Sequence, residues 1–299
     1  MEIVLALVSA LLFALGTVLQ QRAGAQAPAH GTSSGLLLRM ARRPMWVAGI
    51  AADGLGFLAQ AAALGVGRLS VVQPLLVTSV VFALPLGVRL SGQRVRRSDG
   101  AAAVLVVLAL VAFLVVARPS GGRPEAPLGE WVLAGIVCGA VCAPLVILAR
   151  RAPPARRAAL LGAAAGVLFA LSAALTKAVV DELHRGVLHV VASWQLYALV
   201  GVGYVSMTLN QLALDTGALA PTMATSTALD PVASIVLGVT LFAESPRGGG
   251  LAVAAMVVSL ALVLIGIIVL ARSEAHLAEP APASVSGGAS PAARPGPWS

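Results

Sequence analysis

Residues 101–117 read AAAVLVVLALVAFLVVA. Seventeen consecutive positions carry no charge, no proline and no polar side chain. A barrel strand would alternate polar and apolar positions over about 10 residues, and a helix on the surface of a soluble domain would keep one polar face. An unbroken run suits a helix in hydrocarbon, where every backbone group must be satisfied inside the segment. The length sits at the lower edge of the ~17–25 residues that span a bilayer.

Working outward, eight more runs of this kind follow one another: residues 3–19, 45–64, 69–90, 131–149, 158–180, 190–212, 218–243 and 251–271. The sequence therefore predicts an all-α integral membrane protein of about nine transmembrane helices. Composition agrees. Of 299 residues, 59% are hydrophobic and 11% charged, where a soluble domain carries about 25% charged residues. The first run has the length of a retained helix. It lacks the basic flank of a signal peptide, because Met1-Glu2 precedes it.

The net charge of +8 could point to nucleic acid, but the basic residues sit in short clusters between apolar runs. That is a topology signal. Fourteen of the 20 basic residues follow the first, third, fifth, seventh and ninth runs. The positive side is expected to be cytoplasmic, which puts the N-terminus outside the cell membrane and the C-terminus inside. Residues 1–272 form the expected membrane domain, and residues 273–299, rich in Ala, Pro, Ser and Gly, an expected disordered cytoplasmic tail. Cys138 and Cys142 lie one helical turn apart and read as packing residues.

An internal repeat divides the membrane domain. Leu12-Phe13-Ala14-Leu15 recurs as Leu168-Phe169-Ala170-Leu171, and Ala63-Leu64, Gly67 and Leu69 recur as Ala213-Leu214, Gly217 and Leu219. Repeat one would cover residues 1–118, a linking helix 128–150, and repeat two 156–272. One intervening span inverts the second unit in the membrane, as in many secondary transporters.

With these features the chain resembles the drug/metabolite transporter (EamA-like) superfamily. The likeness rests on Ala61-Ala62-Ala63-Leu64-Gly65 leading into Leu69-Ser70-Val71-Val72-Gln73-Pro74, on Gly92-Gln93-Arg94, and on Ala213-Leu214-Asp215-Thr216, Asp230-Pro231 and Ala243-Glu244. It implies two inverted four-helix units and transport of a small solute. The Ala-Leu-Asp-Thr stretch and the spacing from Trp46 through Gly49 to Pro74 are similar to the NIPA-type magnesium transporters. Those proteins carry an acid where this chain has Phe57 and Asn where it has Gln60; here the acid is Asp53, one turn away.

Charge inside a membrane costs roughly 2.5–3.5 kcal/mol at a helix centre, so buried acids are functional candidates. Asp230 lies near the middle of the eighth run, and Pro231 frees the carbonyl of Thr227. Thr227, Asp230 and Ser234 share one helix face. The third run, its counterpart, carries Pro85 at mid-span, and paired interruptions point to a transport site. Asp230 is the expected coupling acid; the alternative is packing against neighbouring hydroxyls. On the seventh run, Tyr197, Gly201, Tyr204, Thr208 and Gln211 form one stripe, expected to face the bundle interior as part of the cavity or as helix–helix glue. On the second run, Gly49, Asp53, Gly56 and Gln60 share a face, with Asp53 and Gln60 as substrate candidates; on the first, Ser9, Phe13, Gly16 and Gln20 align. Lys177, four residues before Asp181, reads as a snorkelling side chain with a local ion pair.

Phosphate loops and nucleophile–base sets are absent, so no enzyme, cofactor or resident metal is expected. The expected partners are lipid, a small solute or ion, and a second copy as one assembly option, with no nucleic acid. The sequence thus points to a secondary transporter working by alternating access, with a magnesium pathway and a non-transporting membrane scaffold as rivals.

Overall fold

Gly162-Ala-Ala-Ala-Gly166 lies at the centre of the bundle, on a helix spanning Pro154–Leu183. Two glycines four apart let a neighbouring backbone approach closely, and this helix touches more of the molecule than any other. The computed structural model describes residues 1–25, 43–91, 97–117, 120–123, 125–245 and 250–278. The helices are α1 (Glu2–Ala25), α2 (Pro44–Val66), α3 (Leu69–Leu76), α4 (Thr78–Ser91), α5 (Arg97–Ala117), α6 (Leu128–Ala149) and α7 (Pro154–Leu183). They continue with α8 (Val187–Ala192), α9 (Trp194–Leu214), α10 (Leu219–Phe242) and α11 (Gly250–Ala278). A two-residue antiparallel pairing joins β1 (Ser120–Gly121) to β2 (Glu244–Ser245).

The chain is an all-helical multi-pass membrane protein. Among the described residues, seven helical spans, with α3 and α4 together making one (Leu69–Leu90), are long and apolar enough to cross a membrane, and α11 adds a shorter apolar stretch, Val253–Val269. The expected seventh run became α8 and α9, broken at Ser193, and α9 falls outside the seven. Its Gln195, Tyr197, Tyr204, Asn210 and Gln211 dilute its apolar character. Outward-facing Leu108, Leu133 and Ile136 are more than 60% exposed, which only a lipid environment tolerates across so wide a surface.

Helix α7 is the hub. It buries 67% of its apolar window, against 22% for the peripheral α6. In the first half, α1 lies against α2 and against the α3–α4 pair; in the second, α7 lies against α9 and α10; α5 and α11 pack on each other. The third run is interrupted at Val77, not at Pro85, through which α4 continues. At the interruption the bonding tightens, with Val77 N–H to Pro74 O (3.3 Å) and Thr78 Oγ1 to Leu75 O (2.7 Å). At the C-terminal side, α11 runs to Ala278, past the expected boundary at Ser273. Glu274, Ala275, Leu277 and Ala278 are good helix formers. The rest of the expected disordered tail, residues 279–299, lies outside the described residues.

Candidate functional site

Helix α10 is held so close to α7 that a Cβ on Gly166 would come 2.5 Å from Ser226 O, and one on Gly162 would come 2.8 Å from Thr222 O. This commits the Thr222/Ser226 face of α10 to α7. A different face, with Met223 and Thr227, meets the first half of the chain across a cavity of about 180 Å³. The cavity is lined by Ala14, Thr17 and Gln21 of α1, Ser79, Val80 and Ala83 of α4, Met223 and Thr227 of α10, and Ile267 of α11. Among the described residues, the side chains of Thr17, Gln21, Ser79 and Thr227 form no hydrogen bond, so they keep donors and acceptors for a solute or water.

Of the sequence candidates, Thr227 lines this cavity. Asp230 lies one turn further along α10, half-buried, and Ser234 Oγ donates to its Oδ1 at 3.2 Å. Pro231 lies inside α10 as expected and leaves the Thr227 carbonyl without its usual intrahelical donor. Thr227, Asp230 and Ser234 therefore share one face, as read from the sequence. Thr17, Gln21 and Ser79 were missed; they are isolated polar residues in apolar runs, and only the packing of α1 on α4 brings them together.

Asp53 sits elsewhere. Gln20 donates to its carboxylate, and a Cβ on Gly16 would overlap that carboxylate. Ser9 Oγ donates to Gly56 O at 2.7 Å, the Phe13 ring lies on Gly56, and Gln20 lies on Gly49. The two stripes read from the sequence interlock as one α1–α2 seam, with Asp53 inside it. Gln60 is half-buried on α2 and belongs to neither the seam's bonds nor the cavity lining.

The stripe on α9 corrects an expectation. Tyr197 and Tyr204 are 63% and 74% exposed, and Gly201, Thr208 and Gln211 are exposed beside them. The opposite face, with Leu199, Val202, Ser206, Leu209 and Ala213, packs inward. Two of its three hydroxyls are satisfied locally: Tyr197 donates to Val191 O and Thr208 to Tyr204 O, each at 2.8 Å.

The densest polar cluster lies at one end of the bundle, around a cavity of about 310 Å³. Glu2, Arg68, Arg123, Lys177, Asp181 and Glu244 line it. Lys177 forms no ion pair with Asp181 among the described residues. Its Nζ donates instead to Leu64 O (3.0 Å) and Gly67 O (2.8 Å) and lies 5.4 Å from the centre of the Phe242 ring. Glu244, 2% exposed, accepts from the backbone N–H groups of Leu69 (2.8 Å) and Ser70 (2.9 Å). Arg123 Nε donates to Leu241 O at 2.8 Å, and Glu130 pairs with the same guanidinium. Glu2 accepts from Arg68 N–H at 3.0 Å.

Cys138 and Cys142 are free and buried; the Cys142 thiol points to Ala164 O at 3.6 Å, within the α6–α7 packing. Among the described residues, no three His, Cys, Asp or Glu side chains converge where they could share a metal ion. A magnesium pathway would have to be built from hydroxyls, carbonyls and single carboxylates.

Comparison with known proteins gives one informative match. An uncharacterized protein of Corynebacterium glutamicum is 32% identical over 275 residues, covering 91% of this chain and 95% of that protein. No family model matches the chain, and no solved structure matches it. The chain belongs to the same family as the Corynebacterium glutamicum protein.

Proposed function

We propose that this protein is a secondary transporter of a small polar or cationic solute, working by alternating access between the α1–α5 and α7–α11 halves. One observation carries the reading: a cavity with a mainly apolar lining and four polar side chains is walled by α1 and α4 on one side and by α10 and α11 on the other. A solute there would touch both halves, and a relative movement of the halves would change the end from which it is reached.

Three features support the reading. Pro74 and Pro85 in the Leu69–Leu90 span and Pro231 in α10 lie in helices that flank the cavity, and proline-interrupted helices in matching positions are what transport sites use. The helix pairings, α1 with α2 and α3–α4 against α7 with α9 and α10, fit two equivalent units and the drug/metabolite transporter likeness. Asp230, one turn beyond the cavity-lining Thr227, is the carboxylate of α10 and the candidate to exchange a proton or bind a cation during the cycle. With Arg clusters on the cytoplasmic side, the cavity would lie toward the cytoplasm from the charged cluster.

The test is solute-driven proton movement in proteoliposomes holding a pH-sensitive dye. The panel would be small amines, amino acids, quaternary ammonium ions and Mg²⁺, for wild type and Asp230→Asn. A solute that moves protons only with wild type supports the reading. A solute carried equally by both removes Asp230 from the mechanism.

A further inference from the structure

The charged end of the bundle carries an inference that rests on the transporter reading and deepens it. We infer that Lys177 and Glu244 form the gate that closes this end of the transport pathway.

The turn Gly67–Arg68 joins α2 to α3 in the first half. It exposes two helix termini of opposite partial charge: the carbonyls ending α2 and the amides starting α3. The second half meets each with the opposite full charge. Lys177 of α7 grips Leu64 O and Gly67 O, and both oxygens of Glu244, just past α10, take the Leu69 and Ser70 N–H groups. These bonds cross between the halves that alternating access must part.

The chain is shaped to present them. Ala243 turns α10 off in the left-handed conformation (φ 50°), which brings Glu244 back toward α3. A non-glycine residue holds that conformation only where its surroundings enforce it; here Arg123 N–H bonds Phe242 O at 2.8 Å and β1 pairs with β2. Lys177 is the one Lys beside nineteen Arg, and its ammonium directs separate N–H groups at the two carbonyls. The gate can also reopen, because the 310 Å³ cavity beside it admits water to charges that have separated. Thr227 lies fifteen residues before Phe242 on α10, roughly 20 Å deeper, so the closed gate seals the solute cavity from this end.

Cysteine labelling reads the gate without knowledge of the solute. In a Cys138→Ala/Cys142→Ala background, Ser70→Cys reports the gate and Thr227→Cys the cavity, each labelled with a membrane-impermeant maleimide in intact cells and in inverted vesicles. Glu244→Gln and Lys177→Met should raise labelling at position 70 roughly tenfold or more, the size expected for losing a charge-assisted bond, and lower labelling at position 227 from the opposite side. Gly238→Ala keeps every charge but drives a methyl into Glu244 Oε2, 2.6 Å away, and should act the same way. Reciprocal changes support the gate whether or not the solute panel yields a substrate. Unchanged labelling at both positions in variants that keep solute-driven proton flux overturns the gate and leaves the transporter reading standing. Labelling that rises at both positions in all three variants marks loosened packing and likewise overturns it.

Discussion

The charged end and the cavity beside Thr227 are built on opposite rules. At the charged end nearly every group is committed: both Glu244 oxygens, two donors of Lys177 and the Arg123 guanidinium all have fixed partners. Around the cavity, the side chains of Thr17, Gln21, Ser79 and Thr227 form no hydrogen bond among the described residues. Satisfied polar groups hold a structure in one state; unsatisfied ones are available to something that comes and goes. The comparison assigns closure to one region and recognition to the other.

The largest effect should come from the recognition side. Asp230→Asn should reduce proton-coupled flux by about 100-fold or more, consistent with removing an essential ionisable group, while gate labelling at position 70 stays within about twofold. If the two readouts fell together, Asp230 would belong to closure and the division would fail. Gate variants come next, with the reciprocal labelling described above.

Smaller effects should come from the α1–α2 seam. Asp53→Asn keeps an acceptor for Gln20 and should leave flux within about threefold, because the carboxylate is committed to packing. Gly16→Leu, which drives a branched side chain into Asp53, should instead destabilise the protein by about 1–3 kcal/mol or more, seen as a lower unfolding temperature in detergent. A Asp53→Asn variant that lost flux but not stability would move Asp53 into the recognition region. The smallest effect belongs to α9: Tyr204→Phe removes an outward hydroxyl and should change flux and stability by less than about 0.5 kcal/mol equivalent.

The sequence made the helices legible because apolar length alone decides them in a membrane, and it made the α1–α2 seam legible because Ser9, Phe13, Gly16 and Gln20 repeat at helical spacing opposite Gly49, Asp53 and Gly56. The same periodicity misled at α9. Spacing shows that Tyr197, Tyr204, Thr208 and Gln211 share a face but not which way the face turns, and hydroxyls bonded to nearby backbone carbonyls can face outward. The Thr227–Asp230–Ser234 face was legible from the proline beside it. The gate was not: Glu244 and its partners Leu69 and Ser70 lie 175 and 174 residues apart, and a bond to backbone leaves no mark on the partner's identity. The Gly162–Gly166 pair could have been found as a close-packing motif.

The most direct test locks the charged end shut. An ideal Cβ on Gly65 lies 3.7 Å from the Val180 Cβ, close to the mean of about 3.8 Å in disulfides, and the two positions belong to opposite halves. In a Cys138→Ala/Cys142→Ala background, Gly65→Cys/Val180→Cys should form a disulfide on oxidation. Flux of a solute found by the proton-movement panel should then stop and return on reduction. Undiminished flux from fully cross-linked protein would contradict the account, because no movement of the halves at this end would then be needed for transport.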